Sequence, residues 1–193
     1  MDLLYLASHS PRRHEILTDH NIKFNVISHQ YDETLLQLNT FPSVSKYVKE
    51  LAKCKAMSIN FTKPCWILAA DTVVFHKNHL LPKPSNLDTA VTYLNQLANS
   101  THQVYTAFCL FNPYTKTTFL RCDSASLTFN PISKAEIQHY VNTKRPLDKA
   151  GGYGLQEIPT YFVRTLSGSK YTVIGLPIYH LKNVIKHIHN NNL

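Results

Sequence analysis

The sequence predicts an α/β protein built around a mixed β-sheet. Segments with the pattern of strands alternate along the chain with segments that have the pattern of helices, and one hairpin lies in the middle. The length of 193 residues suits one domain with a substantial core. No repeat, low-complexity tract or Gly/Ser linker marks a boundary, so we expect residues 1–193 to form a single domain.

Periodicity and capping residues define the elements of the first half. Three apolar runs have the length of buried strands, namely residues 3–7, 24–28 and 66–70. The last of these strands is expected to end at Asp71. Three segments begin with a capping residue and continue with apolar residues at helical spacing, namely those that start at Ser10, at about Ser43 and at Ser85 or Asn86.

The second half begins with a predicted hairpin. Residues 104–111 and 117–129 have the length of two strands, and the segment 112–114 between them is a turn signal. The capping box of Ser133 and Glu136 predicts a helix that begins at Ser133. The chain then continues with a predicted strand and a predicted helix, residues 171–174 and 178–189.

The first strand–helix junction carries hydroxyl groups and two adjacent arginines. Ser8, Arg12 and Arg13 lie where the free backbone N–H groups at the start of the helix point outward. Both the helix terminus and the guanidinium forks favour an anion, so the junction is suited to bind phosphate. The alternative is an ordinary surface helix start with solvated arginines.

Asp71 follows a buried strand, at the position where open α/β sheets bind their ligands. A carboxylate there could activate water or hold a divalent cation, whereas an isolated aspartate more often caps a loop. Lys83 lies beyond the next turn, between two prolines that stiffen the backbone and limit the reach of the amine. The presence of this lysine favours the functional interpretation of Asp71.

Lys55 lies on the apolar stripe of its predicted helix, one turn after Leu51 and two turns after Tyr47. A lysine on an inward face either extends its amine to solvent or binds a buried anion, and the other candidate phosphate-binding groups favour the anion. Glu33 lies on a loop beside Asp32. Paired carboxylates can bind Mg²⁺ or Mn²⁺, but a solvated turn has the same sequence, so both interpretations stay open.

Residues 148–156 contain three of the five glycines, which is too many for the interior of a helix or strand. Glycines let a backbone approach a ligand closely, and Tyr153 and Gln156 could stack on a base and hydrogen-bond to it. The spacing of a P-loop is absent, so the segment is predicted only to be a specialised loop.

The net charge of +8 indicates a surface that attracts anions, although the basic residues are dispersed along the chain. The four cysteines show no C-x-x-C spacing and are expected to be free thiols. No role is assigned to three histidines that lack partners at metal-binding spacing, His29, His76 and His79. No apolar stretch approaches the roughly 20 residues of a membrane span and no signal peptide is evident, so we expect a cytoplasmic protein without a membrane partner.

Seven segments together resemble the Maf (septum-formation-inhibitor-like) family of nucleoside triphosphate pyrophosphatases. They occur in the order and approximate spacing of that family: residues 6–13, 51–56, 70–74, 83–84, 101–106, 148–156 and 167–177. The resemblance implies an elongated mixed sheet flanked by helices, with two lobes around a central cleft (the Maf/ITPase-like fold), and a homodimer. It also implies an enzyme of the hydrolase class that acts on acid anhydrides.

The resemblance implies a role for each candidate residue. Asp71 matches the proton acceptor of the family, and Glu33, Lys55 and Lys83 match its polar cleft residues. The residues that match the phosphate-binding loop are Ser8, Arg12 and Arg13, and those linked to base choice are Arg12, Thr72 and Gln156. The reaction is expected to need a divalent cation (Mg²⁺, Mn²⁺ or Co²⁺), with Glu33 and Asp71 as its ligands.

Two motifs resemble the branch of the family that acts on dTTP and UTP, Ala70-Asp71-Thr72 and residues 148–156. We therefore expect hydrolysis of these pyrimidine nucleotides, and of modified ones, to the monophosphate and pyrophosphate. An alternative is the same fold acting on 7-methyl-GTP or another purine nucleotide. A second alternative is a weakly catalytic nucleic-acid-binding regulator of cell division. The sequence argues against it, because no helix-turn-helix, zinc-finger or RNP-like signature is evident. We therefore expect no stable nucleic-acid partner.

Overall fold

A computed structural model of the chain describes residues 3–61 and 64–191. The chain divides into two compact units. The first comprises Met1–Asp71, Thr106–Asp123 and Gly175–Leu193, and the second comprises Thr72–Tyr105 and Ser124–Ile174.

The strands of the described chain belong to one mixed sheet of seven strands. They are β1 (Leu4–Leu6), β2 (Asn25–Val26), β3 (Trp66–His76), β4 (His79–Leu81), β5 (Thr101–Phe111), β6 (Thr118–Phe129) and β7 (Val163–Ser167). Their order is β2-β1-β3-β5-β6-β7, and β4 pairs with β3. β1 runs parallel to β2 and β3, whereas the β3–β4 and β6–β7 pairs are antiparallel, so the predicted mixed sheet is confirmed.

The described residues contain six α-helices, which confirms the α/β class. They are α1 (Pro11–Asp19), α2 (Val44–Met57), α3 (Leu87–Leu97), α4 (Lys134–Lys144), α5 (Lys170–Ile174) and α6 (Ile178–Asn190). Within residues 3–61 and 64–191, none of the helices has both the length and the apolar character required to cross a membrane.

The core of the first unit is formed by the apolar faces of its helices and the first part of β3. Trp66 is fully buried, and its ring lies against Phe119 with the centroids 5.9 Å apart. The helices contribute one buried stripe each, represented by Leu17 of α1, Leu51 of α2 and Leu181 of α6. In α2 and α6 the buried residues recur every three to four positions, as the periodicity of the sequence predicts.

The core of the second unit packs α3 and α4 with the strands of that unit. Leu94, Phe129, Tyr140 and Phe162 belong to one buried apolar cluster. The caps predicted for both helices are present: Asn86 accepts a bond from the Thr89 backbone N–H at 2.8 Å, and Ser133 and Glu136 form a reciprocal capping box.

The prediction that the third strand ends at Asp71 is wrong, because β3 continues to His76. The continuation, Thr72 to His76, consists of β-branched and aromatic residues followed by a histidine. It also finds a partner, since Val74 is opposite Leu81 of the antiparallel strand β4. Asp71 therefore lies within a long strand, at the point where the chain passes from the first unit to the second.

The prediction of a strand at residues 171–174 is also wrong, because these residues form helix α5. Ser169 begins it: its carbonyl accepts from the N–H of Thr172 at 3.1 Å, and its hydroxyl accepts from the N–H of Tyr171 at 3.2 Å. Gly175, with a φ of 128°, follows its last residue. The local capping bonds override the strand propensity of this short apolar run.

Candidate active site

Ser8 lies just beyond the carboxyl end of β1 and its side chain is buried. Its hydroxyl accepts hydrogen bonds from the Ser10 backbone N–H at 3.2 Å and from Arg13 Nη1 at 3.0 Å. The Nε2 of His14 donates to the Ser8 carbonyl at 2.9 Å. The loop that was predicted to bind phosphate is thus held in shape by its own hydroxyl and guanidinium groups.

Arg13 is half-buried on the first turn of α1, and the protein holds its guanidinium at two points. Besides the bond to Ser8, its Nε donates to the carbonyl of Gly175 at 2.9 Å. Burial lowers the pKa of Arg13, the negative charge of Asp71 raises it, and the neighbouring charge of Arg12 lowers it. The guanidinium therefore lies within electrostatic range of the candidate proton acceptor.

Lys55 is buried within the first unit, with 4% of its surface exposed. Its Nζ donates to Oδ1 of Asp71 and lies 2.8 Å from Oε1 of Glu33. The expectation that this lysine binds an anion rather than extending to solvent is confirmed. The anion consists of two protein carboxylates.

Each carboxylate reaches Lys55 from a different element. Asp71 is buried on β3, whereas Glu33 is largely exposed and begins a short 3₁₀-helix, Glu33–Leu35. Asp32 caps that helix, since its Oδ1 accepts from the backbone N–H of Thr34 at 2.9 Å and from its hydroxyl at 2.8 Å. These hydrogen bonds lower the pKa of Asp32. They show that Asp32 serves as the cap of this helix. The pair that faces one cation is Glu33 with Asp71, not Glu33 with Asp32.

The first unit therefore brings together most of the residues predicted for the site. The sheet explains why, because β1 ends partway along the parallel strand β3: Ala7 N donates to the Leu68 carbonyl at 2.8 Å, so Ser8 follows β1 close to where Asp71 lies on β3. The residues assembled here are Ser8, Arg13, Glu33, Lys55 and Asp71.

Three further predicted residues belong to the second unit. Thr72 is half-buried on β3, and Gln156 is exposed in a turn. Lys83 is exposed between Pro82, whose carbonyl accepts from Gly151 N at 3.2 Å, and the buried Pro84.

The glycine-rich loop at residues 148–156 is an ordered turn. Lys149 is buried, and its Nζ lies 2.7 Å from Asp148 Oδ1 and 3.1 Å from Glu157 Oε1. Tyr153 is buried too, and its hydroxyl is 2.7 Å from Nε2 of His102. The suggestion that Tyr153 stacks on a base is wrong, because its ring belongs to the core of the second unit.

Two residues near the site were missed by the sequence analysis. Tyr47 of α2 is half-buried, and its pKa is raised by burial and by the charges of Asp71 and Glu33. Helical spacing could have found it, since it lies two turns before Lys55. The pKa of His29 is lowered by burial and by the charge of Lys55, which places this histidine in the same electrostatic environment.

Comparison with known proteins gives a consistent result. The sequence model of the family described as Maf-like protein matches residues 3–188. A dTTP/UTP pyrophosphatase of Clostridium perfringens (strain ATCC 13124) is 37% identical over 183 residues, which cover 94% of each chain. A dTTP/UTP pyrophosphatase of Thermosipho melanesiensis is 37% identical over 185 residues, covering 96% of this chain and 97% of the relative. A third, of Alkaliphilus oremlandii, is 36% identical over 195 residues and covers both chains completely.

Proposed function

We propose that this chain, which belongs to the Maf-like protein family, is a hydrolase that converts dTTP and UTP to the monophosphate and pyrophosphate. The names of the relatives described above support this activity, since they match nearly the whole chain at 36–37% identity. The observation that carries the proposal is the buried ammonium of Lys55 between Asp71 and Glu33, beside the Ser8–Arg13 loop.

The loop and the three cationic side chains of Arg12, Arg13 and Lys55 suit the triphosphate of a nucleotide. Phosphoryl transfer is catalysed mainly by positioning the phosphates and neutralising their charge. Arg12 and Arg13 on the first turn of α1 would bind phosphate oxygens together with the hydroxyl of Ser8 and the helix N-terminus. Lys55 would exchange part of its contact with the exposed Glu33 for a phosphate oxygen.

Asp71 is the proposed proton acceptor. Hydrolysis adds one water across a phosphoanhydride bond, so the attacking water must lose a proton as its oxygen bonds to phosphorus. The Asp71 carboxylate would take that proton while the pyrophosphate group leaves from the monophosphate. Its contact with Lys55 fixes the orientation of the carboxylate, and the buried position limits its access to bulk water.

The residues present suit a divalent cation that binds together with the substrate. The carboxylates of Glu33 and Asp71 supply hard oxygen donors. Both now bind the ammonium group of Lys55, so they are directed at one point. No group of three or more His, Cys, Asp or Glu side chains arranged for a metal occurs in the described parts of the chain. Glu33 and Asp71 are the residues that would hold the cation. A bound Mg²⁺, Mn²⁺ or Co²⁺ supplies neutralisation of phosphate charge.

The family resemblance implies roles for three further residues. Lys83 would bind a phosphate, and Thr72 and Gln156 would select the base, as the family resemblance implies. The exposed positions of Lys83 and Gln156 leave their polar groups accessible to a nucleotide.

A panel of nucleotides tests the activity. Purified protein is incubated with dTTP, UTP, 5-substituted pyrimidine triphosphates, 7-methyl-GTP, GTP and ATP, each with Mg²⁺, Mn²⁺ or Co²⁺. We expect release of pyrophosphate, not orthophosphate, fastest with dTTP and UTP. Rapid turnover of a purine nucleotide with none of dTTP or UTP would contradict the substrate assignment.

Asp71→Asn tests the assigned proton acceptor. The amide keeps the shape of the side chain but removes its basicity, so kcat should fall about 10²- to 10⁴-fold. Asp19→Asn, at the exposed end of α1, is the matched control and should retain full activity. Near-normal kcat in the Asp71 variant would refute the role.

We also expect a cytoplasmic homodimer that does not bind nucleic acid stably. Light scattering coupled to size exclusion measures the oligomeric state directly. Titration with duplex DNA at two salt concentrations tests the regulatory alternative, which requires tight and strongly salt-dependent binding.

A further inference from the structure

His29 carries a buried polar atom that the proposed chemistry does not use. Its Nδ1 is shielded from solvent and has no hydrogen-bond partner among the residues that the structure describes. A buried ring nitrogen without a partner costs desolvation free energy, so such an atom in a folded protein requires a physical reason. One reason is a ligand that supplies the missing bond.

The ring lies in the electrostatic environment of the candidate site. Four charged side chains act on it from four different elements: Lys55 of α2, Arg13 of α1, Glu33 of the 3₁₀-helix and Asp71 of β3. The two cations disfavour a protonated ring and the two carboxylates favour it, while burial has the largest effect and lowers the pKa of His29. The lowered pKa favours the neutral ring, in which one nitrogen donates and the other accepts.

The residues on both sides of His29 make hydrogen bonds to segments of the site. Before it, the hydroxyl of Ser28 is 2.8 Å from Nε2 of His9, which follows Ser8 in the phosphate-binding loop. After it, the N–H of Gln30 donates to the hydroxyl of Ser58 at 3.4 Å. That hydroxyl in turn donates to the carbonyl of Lys55 at 2.9 Å. His29 is thus positioned between the phosphate-binding loop and the helix end that carries Lys55.

We propose that His29 is a substrate-binding residue whose Nδ1–H donates a hydrogen bond to a phosphate oxygen of the bound nucleotide. Phosphate oxygens are acceptors, so the unpartnered nitrogen must be the donor of the neutral ring. His9 and Ser28 act as positioning residues that hold this segment against the loop. The proposal rests on the proposed function for the identity of the anion as a nucleoside triphosphate.

Imidazole ¹⁵N chemical shifts of the wild-type protein test the contact directly. Protein labelled with ¹⁵N-histidine is titrated with α,β-methylene-dTTP and Mg²⁺, and the His29 signals are assigned as those missing in His29→Asn. We expect saturable shifts of the Nδ1 signal to the position of a protonated, hydrogen-bonded nitrogen. A saturable titration of other signals with the His29 nitrogens unchanged would overturn the proposal, and so would the absence of any binding.

Three substitutions test whether the position of the donor matters. The amide nitrogen of Asn can occupy the place of Nδ1, whereas that of Gln corresponds to Nε2. We expect His29→Ala and His29→Gln to weaken binding of the analogue about 10- to 100-fold, the value of a hydrogen bond to a charged group. His29→Asn should stay within about threefold of the wild type on the same scale. Equal losses in all three variants would mean that His29 only packs.

Matched controls separate this inference from the proposed function. His180→Ala, at an exposed position of α6, should leave binding of the analogue unchanged. Thermal melts of each variant show whether it is folded. If the wild type binds the analogue through His29 but releases no pyrophosphate from dTTP, the proposed reaction fails and the His29 contact stands. If pyrophosphate is released and His29→Ala binds the analogue normally, the reaction stands and the contact fails.

Discussion

Lys55 is the residue on which the electrostatics of the first unit depend. It is the partner of a buried carboxylate, Asp71, and of a more exposed one, Glu33. Removing one member of a buried ion pair leaves the other charge without compensation, which costs far more than the pair itself contributes. The lysine therefore contributes to the stability of the fold as well as to the proposed chemistry.

A double-mutant cycle measures this coupling. Lys55→Met should lower the free energy of unfolding by about 3–5 kcal/mol, because Asp71 then remains buried and charged. Adding Asp71→Asn removes that charge, so the double variant should be more stable than Lys55→Met alone. Urea denaturation of the four proteins gives the coupling. Losses that simply add would show that the two residues do not stabilise one another.

At the residue scale, the sequence predicted those site residues that a repeating pattern or a motif identifies. The position of Lys55 on an apolar stripe left two outcomes open, and the other candidate phosphate-binding groups favoured a buried anion. The sequence around Ser8 and Arg13 predicted their loop. His29 could not be found in this way, because it lies on an irregular segment where no period relates it to a neighbour. Tyr153 was misjudged since a glycine-rich context suggested ligand binding, whereas its ring is buried against His102 and Phe129.

The glycine-rich loop at residues 148–156 depends on backbone conformations that only some residues adopt readily. Gly151 and Gly152 have φ values of +71° and +72°. A Cβ on Gly151 would lie 3.0 Å from a methyl group of Val74, and one on Gly152 would lie 3.3 Å from Cα of Ala90. Both glycines are required by conformation and by space, which explains why the loop concentrates so many of them.

Two substitutions at positions with this left-handed conformation should change the stability in opposite directions. Gly151→Ala should lower the free energy of unfolding by more than the roughly 1–2 kcal/mol of left-handed strain, because the methyl group also meets Val74. Arg145 ends α4 in the same conformation, with a φ of 46°, but is exposed. Arg145→Gly should therefore raise the stability by about 1 kcal/mol. Thermal melts measure both, and equal signs would contradict the conformational explanation.

At the element scale, the sequence predicted the helices and strands whose signals are local. The capping box at Ser133 and the caps of α2 and α3 are local hydrogen bonds, and all three helices begin where these residues indicate. β4 and β7 were missed and β3 was made too short. Their formation depends on pairing with distant strands, which no window of sequence contains.

Protons couple to the stability of the whole molecule through buried histidines. Burial lowers the pKa of His102 from its ordinary value of 6.5 to about 3, so between these values the unfolded chain binds a proton that the folded chain does not. The free energy of unfolding must then fall as the pH drops below 6.5, by up to about 1.4 kcal/mol per pH unit for this group. His29 and His76, whose pKa values are also lowered, add to the slope.

Denaturation at pH 7 and pH 5 measures this dependence. The wild type should be markedly less stable at pH 5, and His102→Phe should lose less stability between the two values than the wild type does. His180→Ala, at an exposed position, should leave the difference unchanged. If the His102 variant lost as much stability between pH 7 and pH 5 as the wild type, protonation of His102 would not be the cause of the pH dependence.

At the scale of the whole molecule, the sequence predicted the class of fold and the family. Both depend on the order of many segments rather than on the exact ends of any one, so the errors at β3 and α5 did not affect them. The single domain and the homodimer stay predictions. Subunit association depends on surface complementarity, which the pattern of buried residues does not encode.

Burial of two lysine ammonium groups should make the lysines of the native protein differ in their reactivity. Lys55 and Lys149 are each buried and each bonded to two carboxylates, whereas Lys83 is exposed. An acylating reagent attacks only a free amine that it can reach, so limited acetylation should mark Lys83 early and spare the other two until the chain opens. Peptide mass spectrometry of partly acetylated protein would thus report local opening around each lysine separately.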